Sequence, residues 1–502
     1  MNTGSIDSAL SEGPRARGAV PGERGTREAR GDAARPGVVL AVLALGALAY
    51  SVLQSIVAPA LPTLAQDLGT SATNATWVLT AFLLSASVLT PVFGRLGDLY
   101  GKHRLLVVAL GLLTLGTLVS AVATSLNAML VGRVLQGAGG GVFPLAFAIV
   151  RDELPRPKVP GAIALLSAML GIGGAVGLVV AGVIVEDLSY HWLFWIPLAV
   201  TTVATVAAWR FVPESPVRAD STVNWGSAAL LAAGLVTLLL GITQAGSWGW
   251  GSAKNVGFVL AGLAILGAYV AAEVRARVPL VDMKVMAQRG VWTTNAVTLF
   301  IGFGMFAGIV LVPALLEMPA ATGYGFGDSV LTAGLYIVPN ALAMLLVGPF
   351  AAHLAHTHGA KLPALLGTAL TGLAYALLAV AHATHAEVVA GLVLQGLGIG
   401  LAFASLANLI VDAVPHGQTG AATAINTIMR TVGGAFGASI PASILAAHTI
   451  AGTAVPTEHA FTVVFWVTAA AMGAAVLIGL AVPSRHAARD AATADAVAGA
   501  AH

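Results

Sequence analysis

Two arginines lie inside long apolar runs of the sequence, where a fixed positive charge has the strongest chemical consequence. They are Arg133 and Arg430, and none of the 22 acidic residues falls near the middle of such a run. Ionisable side chains within a membrane are costly and usually face a cavity. We therefore expect an electropositive cavity that favours neutral or anionic amphipathic molecules over lipophilic cations. A structural role, in which both guanidinium groups bind carbonyls and side-chain amides, is the open alternative.

Uncharged amide side chains also occur inside the apolar runs and are candidates for lining a translocation path. Asn426 and Arg430 are four residues apart, which places them on one helix face, so this pair ranks first for substrate contact. Gln136 and Gln395 occupy equivalent places in a sequence repeat described below, which indicates a structural role in both copies. The predicted path residues are Gln54, Arg133, Gln136, Asn295, Asn340, Asn426 and Arg430.

Proton coupling requires a group that titrates, and the acidic residues nearest to the apolar runs lie at their edges. Glu186 and Asp187 end the fifth run, and two adjacent carboxyl groups can raise the pKa of one of them. This pair is the candidate for carrying protons, and solvated loop charges are the alternative. Three histidines between positions 353 and 358 form a cluster without a deep acid or a cysteine, so we predict no metal site.

The composition indicates which elements must position these side chains. Hydrophobic residues make up 57% of the 502 positions, charged residues make up 9%, and the mean hydropathy is +0.88. Soluble proteins carry about 25% charged residues, whereas a membrane-spanning helix needs roughly 20 apolar residues. The sequence therefore predicts a polytopic membrane protein in the lipid bilayer. The net charge of +2 argues against a nucleic-acid partner, and the absence of cysteine excludes disulfides and thiolate metal sites.

The sequence predicts an all-α membrane protein with fourteen spanning helices, in the order six, two and six. The helices are expected because the apolar runs are too long for barrel strands. Lysine and arginine collect in alternate connections, which places both termini in the cytoplasm. The predicted spans lie near 38–62, 74–97, 104–125, 128–151, 161–185, 192–212, 225–244, 255–275, 290–315, 329–352, 361–382, 387–411, 419–446 and 460–482. The predicted domains are a disordered tail over 1–37, a six-helix bundle over 38–213, two inserted helices over 224–275, a second six-helix bundle over 290–482 and a tail over 483–502.

An internal repeat relates the first six spans to the last six. Residues 132–139 recur at 391–398, and residues 173–177 recur at 433–437, with nearly the same offset. The first and last sets of helices are therefore two copies of one unit, with the middle pair inserted. Two similar helical halves around a midplane site are the architecture of secondary transporters.

The segment Gly94-Arg95-Leu96-Gly97-Asp98-Leu99-Tyr100-Gly101-Lys102-His103-Arg104, which we call the lock segment, forms the predicted short loop between spans two and three. Together with Arg133 and the glycine-rich fifth span, it resembles the signature of the major facilitator superfamily. In that family the acidic residue of the loop binds the end of a neighbouring helix, because a helix N-terminus favours anions. The basic residues of the loop help to lock one state of an alternating-access cycle. The resemblance implies this role for Gly94, Arg95, Asp98, Gly101, Lys102 and Arg104. A plain basic turn is the alternative, but it leaves Asp98 unexplained.

With six, two and six helices, the region from Val38 to about Pro483 resembles the drug:proton antiporter-2 family, whose members mostly export amphipathic drugs. The run Ala60-Leu61-Pro62 to Asp67-Leu68-Gly69, followed by Trp77-Val78-Leu79-Thr80, is similar to that family's first loop and second span. The resemblance implies export by alternating access with proton coupling.

Two positions depart from the pattern of that family. Gln54 stands where an aspartate is usual, and since glutamine does not titrate, we expect it to hydrogen-bond Arg133 in place of a salt bridge. Leu178 stands where a proline is usual, so no kink is expected in the fifth span. Three glycines of that span, Gly173, Gly177 and Gly182, form a smooth face for close helix packing. This face serves either ordinary helix packing or a special role in antiport.

The sequence thus predicts a monomeric secondary transporter of the plasma membrane, not an enzyme, that exports amphipathic drugs or secondary metabolites. It contains no phosphate-cradling G-x-x-x-x-G-K-[ST] segment, so we expect no ATP drive and no cofactor. One alternative is a transporter that imports or exports a specific organic anion without proton antiport. Another is a membrane-embedded lipid-carrier transferase, which would need paired acids or a metal site near the bilayer surface. A transport-dead sensor is the third.

Overall fold

The structure, a computed structural model, describes residues 36–215, 224–277, 279–415, 418–453 and 455–483. Most of the two predicted tails, 1–37 and 483–502, therefore lies outside the described residues. The first described helix, Pro36–Ser55, includes the last two residues of the predicted N-terminal tail.

Fourteen helices in the described ranges are long and apolar enough to cross a membrane, which confirms the predicted number. The first six are α1 (Pro36–Ser55), α2 (Trp77–Tyr100), α3 (Lys102–Ala121), α4 (Leu126–Glu153), α5 (Arg156–Asp187) and α6 (Trp192–Phe211). The middle pair is α7 (Trp225–Thr243) and α8 (Ala253–Arg275). The last six are α9 (Arg289–Glu317), α10 (Val330–His358), α11 (Lys361–Val380), α12 (His385–Ala413), α13 (Thr419–Ala447) and α14 (Glu458–Leu480). Short helices over Leu61–Asp67, Ala72–Ala75, Ala245–Trp248 and Met283–Met286 lie in the connections.

Two predicted boundaries near the start of the chain are wrong. The first span does not continue to residue 62, because α1 ends at Ser55. Pro59 lacks a backbone N–H and disfavours helix at the residue before it, so the chain leaves the helix first. The lock segment is mainly helix and not a loop, since α2 continues to Tyr100. Only Gly101, whose φ of +115° is open to glycine without steric cost, separates α2 from α3.

Each set of six helices buries an apolar core largely of its own. Phe82 and Phe143 belong to the core of the first set, and Phe461 and Phe465 belong to the core of the last set. Lipid tails are as apolar as these side chains, so close packing, and not exclusion of water, holds such helices together. We call the two sets the first half and the second half.

The two halves pack in equivalent ways. Gly173 and Gly177 of α5 lie directly against α1, and the repeat positions Gly433 and Gly437 of α13 lie directly against the backbone of α9. A side chain at any of these glycines would clash with the neighbouring helix, so the paired glycines permit the close approach. The same helix–helix contact therefore occurs once in each half.

The inserted pair lies over a seam between the halves. Leu231 and Leu235 of α7 share an apolar cluster with Ile428 and Val432 of α13 and Val92 of α2. α8 packs on α7 and leaves most of its surface exposed. The pair thus covers the α2–α13 seam, whereas α5 and α10 pack directly on each other at the other seam.

Candidate functional site

The lock segment joins the two halves through the carboxylate of Asp98. This side chain is fully buried near the end of α2, and its two oxygens accept hydrogen bonds from the backbone N–H groups of Gly420 (3.1 Å) and Ala421 (3.0 Å). These N–H groups belong to the first turn of α13, where helical amides have no partner within the helix and the helix dipole favours an anion. Gly94, one turn earlier on α2, lies so close to Gly420 that a side chain at Gly94 would meet the Gly420 carbonyl.

A second contact joins the halves at the same end, through a residue that is not among the sequence-based candidates. Arg151, in the last turn of α4, donates hydrogen bonds to the Thr419 hydroxyl (2.5 Å) and to the Val414 carbonyl (2.9 Å). The sequence marks Arg151 only as one of several basic residues in a connection, because its partners are more than 260 positions away. Both contacts close the same end of the protein, which we call the Asp98 end.

Lys102 of the lock segment binds within the first half. It is fully buried and forms an ion pair with Asp152 of α4, whose carboxylate also accepts a hydrogen bond from the Ser215 hydroxyl (2.5 Å). Breaking a buried pair by removing one partner leaves an uncompensated charge and is strongly destabilising. Lys102 therefore fixes the start of α3 to the end of α4.

The other members of the lock segment contact the connections that flank the inserted pair. Arg95 donates a hydrogen bond to the carbonyl of Pro279 (3.3 Å), in the connection after α8. Glu214, in the connection after α6, lies 3.5 Å from the Arg104 guanidinium, which is 70% exposed. Gly101 lies against the same carboxylate, so a side chain at this position would displace the Glu214 carboxylate. The lock segment is thus held on both sides by the ends of these connections.

Arg133 lies deep in the first half, where neighbouring helices supply acceptors. Its guanidinium donates to the carbonyls of Val78 (2.9 Å) and Leu53 (3.2 Å) and to the side chain of Gln136 (2.7 Å). It also packs on the Phe82 ring, 4.2 Å from the centroid. Arg133 and Gln136 are both fully buried, so this geometry favours the structural alternative for Arg133.

The predicted hydrogen bond between Gln54 and Arg133 is not formed among the described residues. The carbonyl of Leu53 takes the place of the Gln54 side chain. Because α1 ends at Ser55, the carbonyls of its last turn have lost their intrahelical partners, and the Leu53 carbonyl is free to accept from Arg133.

In the second half, Gln395 takes the place that Gln136 has in the first. Its side chain donates to the Tyr375 hydroxyl and accepts from the Asn340 amide (3.0 Å), which also donates to the Leu392 carbonyl (2.8 Å). Asn340 and Gln395 line a cavity of about 40 Å³ whose walls come from α5, α9, α10 and α12. The cavity is mostly apolar, and these two amide side chains are the polar groups on its wall. It lies at the α5–α10 seam, which the inserted pair leaves uncovered.

Arg430 lies on α13, and its surroundings differ from those of Arg133. Its guanidinium carbon is 5.6 Å from the ring centroid of Phe143 on α4 and 5.4 Å from that of Phe403 on α12. Aromatic faces attract cations within about 6 Å, so one ring from each half holds the guanidinium between the halves. Within the described part of the chain, this group has no hydrogen-bond acceptor and no carboxylate partner.

Asn426 lies one turn before Arg430 on α13. Its amide donates to the Asn295 side chain (2.9 Å) and to the Thr298 hydroxyl (2.9 Å), both on α9. The structure thus brings Asn295, Asn426 and Arg430 together at the α9–α13 contact. The other predicted path residues lie apart from this group, with Gln54, Arg133 and Gln136 in the first half and Asn340 at the α5–α10 seam.

The three predicted glycines of α5 contact two different helices. Gly173 and Gly177 face α1, and the Ser55 hydroxyl donates to the Gly173 carbonyl (3.2 Å). Gly182 faces α10, where a Cβ would lie 2.7 Å from the Cα of Leu331. One glycine face therefore packs within the first half and also against the second.

The candidate proton carriers lie at the end of the protein opposite to Asp98. Glu186 and Asp187 form the last turn of α5, and both side chains are exposed, as solvated loop charges would be. Across the described ranges, no group of three or more His, Asp or Glu side chains is arranged to hold a metal ion.

Comparison with known proteins gives consistent similarities. A profile of the Major Facilitator Superfamily matches residues 43–438 and, in an overlapping match, 296–500. An uncharacterized MFS-type transporter of Mycobacterium tuberculosis is 27% identical over 411 residues, which cover 80% of this chain and only 58% of that relative. The cephamycin export protein CmcT of Amycolatopsis lactamdurans is 30% identical over 418 residues, which cover 81% of this chain and 84% of the relative. The crystal structure of the human organic anion transporter MFSD10 (TETRAN) matches in fold, with a TM-score of 0.63 and 18% identity over 88% of this chain and 99% of that one.

Proposed function

The chain belongs to the Major Facilitator Superfamily, and we propose that it is a secondary transporter that exports amphipathic drugs or secondary metabolites by alternating access. The Asp98 contact carries this proposal, because two hydrogen bonds between a carboxylate and a helix N-terminus close one end of the α2–α13 seam. Such a contact holds one state and can break to allow another. Similarity to a cephamycin export protein over 81% of this chain supports a small organic molecule as cargo.

In the proposed cycle, the closed Asp98 end faces the cytoplasm, because basic residues collect in the connections at that end. Cargo bound near Arg430 leaves from the opposite end. Breaking the Asp98 and Arg151 contacts then lets the halves separate at the cytoplasmic end and reload. Repeats that rock around a fixed midplane site are the general mechanism of such folds.

Proton coupling forms part of the proposal. Glu186 and Asp187 are exposed at the end opposite to Asp98, where both carboxylates are open to solution. An inward-moving proton would first meet these two side chains. Loss of both charges in a Glu186→Gln/Asp187→Asn variant is expected to reduce proton movement without abolishing cargo binding.

The proposal also places the protein in the plasma membrane as a monomer, with both termini in the cytoplasm. Light scattering of the purified protein in detergent should give the mass of one chain, and a dimer mass would reject this part of the proposal.

Transport in proteoliposomes tests the proposed function. A fluorescent amphipathic probe should cross the membrane when a pH gradient is imposed, and protons should move in the opposite direction. Asp98→Asn should slow turnover, whereas Asp67→Asn, at an exposed position, serves as the matched control and should not. Transport without proton movement would reject antiport and leave a uniporter, and a protein that moves no amphipathic probe at all would overturn the proposal.

A further inference from the structure

The two deep arginines of this chain differ in how their charge is satisfied. Arg133 donates three hydrogen bonds to groups of the first half. Arg430 contacts two aromatic rings and has no acceptor in the described part of the chain. Arg133 is fully buried, whereas Arg430 is only partly buried. The donors of Arg430 are therefore open to a partner from outside the protein.

The position of Arg430 indicates when such a partner binds. The backbone carbonyl of Arg430 packs against Gly302 of α9, which fixes this part of α13 within the second half. Phe143 belongs to the first half and Phe403 to the second, so the guanidinium lies where the two halves meet. A rocking motion of the halves would move one aromatic wall away from Arg430 and leave the other in place.

The charges around this position exclude one class of partner. No carboxylate pairs with Arg430 among the described residues, and the nearby Asn426 and Asn295 are neutral and bound to each other. The buried carboxylates Asp98 and Asp152 are occupied at the Asp98 end. A cationic ligand would meet the guanidinium without any compensating charge, whereas an anion would supply the missing acceptors.

Building on the proposed function, we propose that the cargo is an amphipathic organic anion whose carboxylate binds the Arg430 guanidinium while its apolar ring packs on Phe403, which stays with Arg430 when the halves move apart. A planar guanidinium matches a carboxylate with two parallel hydrogen bonds. Its low hydration also allows it to stack on aromatic rings. The site therefore selects cargo by an oxyanion next to a flat apolar group.

Three probes that share one fluorophore and differ in charge test this assignment. Dansylglycine carries a carboxylate, dansylglycinamide is its neutral amide, and dansylethylenediamine is a cation. In proteoliposomes of the full chain, dansylglycine should be transported fastest, with a rate at least tenfold above that of the cation. Charge-assisted hydrogen bonds of this kind are worth roughly a ten- to hundredfold difference in binding.

Variants at Arg430 assign the preference to this side chain. Arg430→Gln should reduce dansylglycine transport by at least tenfold and leave dansylglycinamide within about threefold of the wild-type rate. Arg430→Lys should keep the preference for the anion, since it keeps the charge. The matched control is Arg275→Gln, on the exposed end of α8, which should transport all three probes as the wild type does.

The outcomes separate this inference from the function on which it rests. Faster transport of dansylethylenediamine by the wild type, or an unchanged preference in Arg430→Gln, would overturn the anion site and leave the exporter intact. Failure of the wild type to move any of the three probes would reject the proposed function and this inference with it. If Arg430→Gln does not fold, the charge preference of the wild type and of Arg430→Lys still decides between these outcomes.

Discussion

The carboxylate of Asp98 accepts a hydrogen bond from the backbone N–H of Gly420, although the two residues are 322 positions apart. Its second oxygen binds the next N–H along α13. Two helix ends, one from each half, therefore meet through a single buried side chain.

Asp98→Asn should weaken the closed state at the Asp98 end. Asparagine can still accept one hydrogen bond, but a charged acceptor is about twice as strong as a neutral one, so the loss is about 1–2 kcal/mol. This corresponds to about a five- to thirtyfold shift toward the open state. The chain has no cysteine, so a single Thr423→Cys, buried one turn beyond Thr419, reports opening by its reaction with a membrane-impermeant maleimide.

The matched control for this labelling experiment is Asp67→Asn, since Asp67 is exposed in the connection after α1. It should label at the wild-type rate. Equal labelling of Asp98→Asn and Asp67→Asn would show that the carboxylate does not hold the halves together.

Arg151→Gln should open the same end by a separate route. The variant loses the charged donor to the Thr419 hydroxyl and to the Val414 carbonyl, which is worth about 1.5–3 kcal/mol. Labelling at Thr423→Cys should rise again, and it should rise further when Arg151→Gln is combined with Asp98→Asn. Arg156→Gln, at an exposed position, is the control. If the combined variant labels no faster than either single variant, the Asp98 and Arg151 contacts do not close this end independently.

Arg133→Gln should lower stability without changing cargo preference. Its removal leaves the Gln136 side chain and the Val78 and Leu53 carbonyls without their donor, which costs at least about 2 kcal/mol. A thermal-unfolding scan in detergent should show a lower Tm than for Arg430→Gln. Conversely, Arg430→Gln should change the ratio of dansylglycine to dansylethylenediamine transport, and Arg133→Gln should not. A changed ratio in Arg133→Gln would place Arg133 on the path after all.

Gly177→Ala should destabilise the protein, whereas Gly174→Ala should not. A Cβ at Gly177 would meet the Ser55 hydroxyl and would lie 2.9 Å from the Val52 carbonyl, while nothing lies within 4 Å of a Cβ at Gly174. Overpacking of this kind costs about 1–3 kcal/mol, and alanine in place of an unhindered helical glycine gains up to about 1 kcal/mol. The two Tm values should therefore differ in opposite directions from that of the wild type. Similar values for both variants would contradict the tight α1–α5 contact.

The sequence predicts the helices well because each span must bury its backbone polar groups in a long apolar run. It is less successful where a helix end depends on local chemistry. Pro59 ends α1 early, and α2 continues through Asp98 to Tyr100 until Gly101 allows the turn. Apolar content alone does not distinguish a helix end from the loop that follows it.

Partners of the polar side chains are harder to predict than the helices. Arg133 binds the Leu53 carbonyl and not the Gln54 side chain, because backbone acceptors at a helix end carry no sequence signal. Arg151 is missed for the same reason, since it binds the Val414 carbonyl. The choice of Arg430 for substrate contact remains a prediction, and its aromatic neighbours Phe143 and Phe403 come from distant helices that only the folded chain brings together.

The connections that flank the inserted pair do more than span a distance. Glu214 lies against Gly101 and Arg104, and the Pro279 carbonyl binds Arg95, so a tether from each end of the pair is attached to the lock segment. The pair also lies over the seam that Asp98 closes. Under the proposed function, a sideways displacement of α7 and α8 is therefore expected to disturb the contact that closes this seam.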